Sequence, residues 1–195
     1  MATRREAKEA SAARVIAAAT ELFTSQGYAA TTVPLIAAAA GVSVGTVAGV
    51  GSKDALFLRV WEESSTASSL AVLQSARAAS DSVTERVWAY FGMMIESSIA
   101  RPDALRDYFV AYLREREHDA NQERLNGVVA AIRDLFPADE HSERTSPAWL
   151  AAWTLWLTFS SLCFGLAATS VSPDEVRRRM RSIVEAQCQP FEGTR

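Results

Sequence analysis

Between residues 31 and 54 the chain reads TTVPLIAAAAGVSVGTVAGVGSKD, and the groups there that can act on another molecule are a few hydroxyls, one ammonium and the Asp54 carboxylate. Thr32, Ser43, Thr46 and Lys53 are suited to holding anions, not to making or breaking bonds. The elements that would position them follow from local rules. Thr31 or Thr32 fits a helix N-cap, and Pro34 is tolerated in a first turn because its missing donor is not needed there. Val33, Ile36 and Ala37 fall at i, i+3 and i+4 and should face a core. Gly41 stands where a helix C-terminus needs a positive φ. Val42 then turns inward, Ser43 caps a second short helix, and a third helix begins at Ser52. A capped helix start presents free amides and a positive dipole end, which favours phosphate. Two short helices around a small-residue turn form a helix-turn-helix, whose second helix is shaped for a DNA major groove. An ordinary helical hairpin is the plainer alternative on this pattern alone.

The flanking residues extend the pattern. Upstream, Val15, Ile16, Ala19, Leu22 and Phe23 repeat with helical period and stop at Gln26-Gly27-Tyr28; downstream comes Gly51-Ser52-Lys53-Asp54-Ala55-Leu56. The order and spacing of Ala13-Arg14-Val15-Ile16, Glu21-Leu22-Phe23, Gly27-Tyr28, Thr31-Thr32, Ile36-Ala37, Ala40-Gly41-Val42-Ser43, Gly45-Thr46-Val47 and Ser52 to Leu56 resemble the N-terminal domain of the TetR family of bacterial transcriptional regulators. The resemblance covers about the first 60 residues; the rest is similar only in its helical character. It implies an all-α fold of about nine helices. An N-terminal arm and helix-turn-helix DNA-binding domain over 1–51 would lead into a helical effector-binding and dimerisation domain over 52–195.

One departure stands out. The family usually follows the Gly-Thr-hydrophobic triplet with a Tyr, a second ring-bearing residue and a Phe. This chain has Ala48-Gly49-Val50-Gly51 and is one residue shorter. The side chains that usually reach the DNA backbone are therefore missing, and no Arg, Lys, Asn or Gln in this helix can make a bidentate base pair contact. What remains for the bases is Val44, the Thr46 methyl and close approach at Gly45, so readout should be apolar and shape-based.

Net charge is −3, which alone argues against a nucleic-acid partner. Its distribution points the other way: residues 1–60 carry a net +2 and the remainder −5. A mildly basic head on an acidic body suits a DNA reader. Arg4, Arg5 and Lys8 would form a flexible basic arm reaching phosphates or the minor groove, with Thr32, Ser43, Thr46 and Lys53 on phosphates and Val44 and Gly45 near bases. Cys163 and Cys188 lack metal spacing and read as buried thiols in a reducing cytoplasm. The first residues lack an apolar stretch, so no secretory signal is expected. Pro147 to Pro173 is uncharged and long enough to span a bilayer. Its Thr and Ser residues and one-ended tryptophans instead favour a helix buried between a core and a partner subunit.

In the body, Ser52 should cap a helix running to about Ala79. Ser82-Val83-Thr84-Glu85 forms a capping box, Arg101-Pro102 is a break, and 137–147 is a loop. Leu105, Tyr108, Phe109, Tyr112 and Leu113 make one apolar stripe; Leu125, Val128, Val129, Ile132, Leu135 and Phe136 make another. Ser172-Pro173-Asp174-Glu175 opens the last helix, with Val176, Met180, Ile183 and Val184 inward. The family resemblance implies a homodimer through the last two helices. In keeping with that, 148–170 carries a Trp149/Trp153/Trp156 ridge and an opposed Leu150/Thr154/Leu157/Ser161 row, with Ser160, Ser161, Gly165, Ala167 and Ala168 permitting close approach. Trp88, Phe91, Met94, Phe109, Tyr112, Trp153 and Trp156 would line a pocket for an apolar or aromatic effector, though each serves equally as core. His118 and His141 read as surface residues. No catalytic set, cofactor motif or metal cluster emerges. Two readings follow: a ligand-responsive regulator, a repressor binding a pseudo-palindromic operator as a dimer, or a ligand- or protein-binding dimer of the same fold that has lost DNA recognition.

Overall fold

The computed structural model describes residues 3–115, 118–137, 145–169 and 171–193, and within these it leaves undescribed the side chains of residues 4, 65–70, 79, 118–121 and 124. The described residues form nine α-helices, a final 3₁₀ turn and no strand. The helices are α1 (Arg4–Ala30), α2 (Val33–Ala40), α3 (Val44–Ala48), α4 (Lys53–Ala79), α5 (Val83–Ala100), α6 (Pro102–Arg114), α7 (His118–Arg133), α8 (Pro147–Ala168) and α9 (Pro173–Cys188). They divide into two compact units, one of residues 1–66 with 106–116, the other of 67–105 with 117–195. The first unit thus takes in the start of α4 and the end of α6.

In the first unit α1, α2 and α3 pack on one another around Val15, Ala19, Phe23, Ile36, Ala37, Ala40 and Val47. The start of α4 adds Leu56, Phe57, Leu58 and Val60, and the end of α6 adds Ala111. An aromatic chain runs through it, from Phe23 and Tyr28 to Phe57, Trp61, Tyr108 and Tyr112. The expected apolar stripe on α6 is modified: Leu105 and Ala111 are buried, whereas Leu113 is 78% exposed.

In the second unit α9 packs on α5 and α8, and α8 on α7. Val87, Phe91 and Ile95 of α5, Leu155, Phe159 and Cys163 of α8 and Val176, Met180 and Val184 of α9 are buried there, with Phe91 against Phe159. Ser146 and Ser172 cap α8 and α9, each with its hydroxyl accepting the third amide of the helix. Arg101 adopts φ −137° before Pro102, which ends α5 because a residue preceding proline avoids the helical region. The capping box at Ser82 is only half made. Ser82 Oγ accepts from the Glu85 amide at 3.3 Å, but Glu85 turns away to Arg181 at 2.7 Å. The Ser82 amide donates instead to Ser80 Oγ at 3.1 Å, and Glu192, from beyond α9, accepts from Ser82 Oγ at 2.8 Å and the Thr84 amide at 2.7 Å. Those bonds pull the Glu192 carboxyl down to about 2.

Helix α8 is long and apolar enough to cross a membrane by composition. Here Ala148, Ala151, Ala152, Leu155, Phe159, Cys163 and Ala167 are buried in the second unit. Leu150, Thr154, Leu157, Ser161, Phe164 and Ala168 are all exposed, spaced alternately by four and three residues. That spacing keeps one straight stripe along a helix. Ala167 and Gly165, expected to ease approach of a partner, serve this chain itself: Ala167 is buried, and a Cβ on Gly165 would come within 3.3 Å of Val171. Both cysteines are free and buried, and burial pushes Cys163 up to about 11 and Cys188 to about 12, which keeps them as thiols.

Candidate nucleic-acid interface

The head is assembled by side chains that stop helices where the sequence needs a turn. Gly27 adopts φ 79° inside the span of α1 and bends the chain there. Thr31, fully buried, donates its hydroxyl to the Gly27 carbonyl at 2.8 Å, and Gln26 donates to Thr31 at 3.3 Å. The cap of α2 is therefore its neighbour Thr32, whose hydroxyl accepts from the Leu35 amide. Gly41 ends α2 at φ 63°, a left-handed conformation, and Val42 packs against the head's core. Ser43 caps α3, accepting from the Thr46 amide at 3.1 Å while its hydroxyl also lies 2.9 Å from that of Thr46.

Helix α3 is short and its outer side is nearly bare. Val47 is fully buried, so Gly45 and Gly49 fall on the side away from the core. A Cβ on Gly45 would meet nothing nearer than Ser43 Oγ at 3.7 Å. Val44, Gly45, Ala48 and Gly49 are exposed, Val44 by 50%, and Thr46 is half-buried. No charged residue and no Asn or Gln occurs from 31 to 51.

The cations of residues 1–60 lie outside that stretch, on α1 and at the start of α4. The basic residues expected to form a flexible arm belong instead to the first turns of α1. Thr3 and Glu6 build a reciprocal capping box, with Glu6 accepting from the Thr3 amide and Thr3 Oγ1 from the Glu6 amide, and this carries helix back to Arg4. Arg5 pairs with Glu9 at 2.8 Å and Lys8 is exposed; the Arg4 side chain lies outside the described residues. Arg14 was not among the expected DNA contacts. It stands beside the turn, where a Cβ on Gly41 would lie 3.7 Å from its Nη1. Lys53 opens α4 with its ammonium 3.9 Å above the Tyr28 ring. Tyr28 donates to Asp54, and burial together with that carboxylate pushes its hydroxyl up to about 12, so it stays a donor. Ser52 caps α4 on the Ala55 amide and donates to Glu115 at 2.9 Å. Neither long-range tie has a local sequence signal.

The expected effector-pocket residues are divided between the units. Phe109 and Tyr112 belong to the first, where Tyr112 packs against the head's core. Trp88, Phe91, Met94, Trp153 and Trp156 belong to the second. Phe91 is fully buried against Phe159, and Arg181 lies 5.2 Å above the Trp88 ring. Met94, Trp153 and Trp156 are half-buried. His141 lies outside the described residues, as does the His118 side chain.

Two capped helices across a left-handed glycine, with the second exposed, define a helix-turn-helix head on an all-helical chain. Residues 15–60 match the family model for bacterial regulatory proteins of the tetR family, so the helix-turn-helix is similar to that family's N-terminal domain. Solved structures extend the likeness along the chain. The TetR-family repressor FadR of Thermus thermophilus, in complex with lauroyl-CoA, shares 22% identity and a TM-score of 0.68 over 89% of this chain and 93% of its own. A TetR regulator from Rhodococcus sp. RHA1 gives 20% and 0.64 over 93% and 97%. A TetR-family regulator from Streptomyces coelicolor gives 17% and 0.59 over 94% and 96%. At these identities the likeness establishes the fold. Among curated proteins none matches the chain by sequence.

Proposed function

We propose that the protein is a ligand-responsive DNA-binding transcriptional regulator, a repressor that acts as a homodimer on a pseudo-palindromic operator in the cytoplasm. The observation that carries this is the head itself: a capped, exposed α3 with Val44 and Gly45 outward, Ser43 as its cap, Thr32 capping α2, Arg14 beside Gly41 and Lys53 at the start of α4. Residues 1–51 would supply DNA contact and 52–195 the effector site and the dimer. Arg4, Arg5, Lys8, Arg14 and Lys53 would hold phosphates, which position a protein on the duplex without naming its sequence.

The exposed α8 stripe supports dimerisation, because Leu150, Leu157 and Phe164 stand 47–55% exposed in a row that a second copy would cover. Two-fold symmetry then places one α3 on each half-site. Half-buried Trp88, Met94, Trp153 and Trp156 favour an apolar effector, and the structural relative that holds lauroyl-CoA supports the same class. Such an effector weakens DNA binding only by its preference for the DNA-incompetent state. No catalytic role is proposed.

Selection of genomic fragments by the purified protein, followed by anisotropy titration at two salt concentrations, tests this reading. A pseudo-palindromic site bound at least 100-fold more tightly than random DNA, on the order expected of specific binding, supports it. The uncharged stretch from 31 to 51 favours a second reading, a ligand- or protein-binding dimer without sequence recognition. A folded dimer that enriches no site would establish that second reading.

A further inference from the structure

We propose that this head reads the C5-methyl group of pyrimidines rather than the hydrogen-bonding identity of a base pair, so that 5-methylcytosine is accepted where thymine is preferred. The inference rests on the regulator reading and deepens it. In the major groove, thymine and 5-methylcytosine carry the same methyl at the same ring position. They differ in the neighbouring group, a carbonyl acceptor in one and an amino donor in the other. Telling them apart requires a side chain that donates or accepts at that edge.

Helix α3 is poorly equipped to do so. Its outward positions are Val44, Gly45, Ala48 and Gly49, none with a polar side-chain atom. The two hydroxyls nearby are turned to each other at 2.9 Å, and Ser43 is further committed to the Thr46 amide. The Thr46 methyl, the Val44 isopropyl group and the Ala48 methyl remain to meet the DNA. Two glycines at 45 and 49 leave the backbone uncovered between them, so this helix can sit closer to the bases than one with side chains there. A surface of methyl groups brought close to a groove gains from apolar contact and gains nothing from donors or acceptors. Burying one methyl is worth about 0.8 kcal/mol, roughly a fourfold change in affinity.

The test uses the full-length protein and the operator obtained from genomic selection. Each thymine of the half-site is replaced in turn by uracil, which removes only the methyl. At the positions read by α3, about a fourfold loss per methyl is expected. Cytosine and then 5-methylcytosine are placed at those positions, and methylation is expected to restore about fourfold. In Val44→Ala both methyl effects shrink, while circular dichroism confirms the fold; Val44 is exposed and alanine is a strong helix former. Uracil bound as tightly as thymine throughout would overturn the inference and leave the regulator reading standing. So would 5-methylcytosine bound no better than cytosine. If selection enriches no operator, the regulator reading fails first and this inference fails with it.

Discussion

Glycine is a poorer helix former than alanine by up to roughly 1 kcal/mol, and by less in the first turn of α3 where Gly45 stands, yet the free protein has room for the methyl it lacks. In the proposed reading, closer approach to DNA offsets that cost. Gly45→Ala should therefore raise thermal stability slightly while weakening operator binding tenfold or more, measured by calorimetry and anisotropy on one preparation. Operator affinity unchanged by the added methyl would show that α3 does not approach the bases at this point. Lys53→Ala should weaken all DNA sequences alike and make the salt slope shallower by about 1 per head, as expected of a phosphate contact. A change in sequence preference would remove that assignment. Gly41, Ser43 and Thr32 could be placed from sequence because caps and left-handed turns are decided by neighbouring residues. Arg14 beside Gly41 and Lys53 over Tyr28 could not, since each depends on a partner far away in the chain.

At the scale of elements, helix starts were legible and side-chain alternatives were not. Ser82 promised a reciprocal box with Glu85, but Arg181 offers Glu85 a full charge, Ser80 Oγ takes the Ser82 amide, and Glu192 accepts from Ser82 Oγ and the Thr84 amide. The Glu192 carboxyl is held near 2 against its ordinary 4.5. A carboxyl with a lowered folded value stabilises the protein above its unfolded value, and that contribution is lost as pH falls through the folded one. Thermal melts of wild type against Glu192→Gln should differ above pH 4.5 and converge as pH approaches 2; a constant difference would mean the charge is not the cause. On α8 the alternation of buried and exposed stripes was partly readable. The tryptophan ridge proved half-buried and the Leu150 row exposed. Leu157→Glu, which puts a carboxylate into the middle of that row, should yield a folded monomer in light scattering with operator binding lost. A dimer that survives the change would place the interface elsewhere.

At the scale of the molecule, the small basic excess of the head limits how much of its affinity can be electrostatic. Arg4, Arg5, Lys8, Arg14 and Lys53 amount to ten cations in a dimer, so the slope of log K against log salt should be no steeper than about −9. A steeper slope would mean that cations of the body also meet DNA. The sequence made the head look like the first 51 residues because its motif ends there. In space it also uses residues 106–116, and no periodicity announces that Ala111 and Tyr112 belong to a core begun at Val15. This has a consequence for synthesis. On the ribosome the head cannot be completed when its own motif emerges; it must wait until α5 has been made and the end of α6 has followed. A nascent chain stalled after Ala100 would hold a helix-turn-helix whose Trp61 still lacks its stacking partner Tyr108. A fragment cut after residue 66 would share that defect. Maturation of the reading head is thereby tied to translation of more than half the protein.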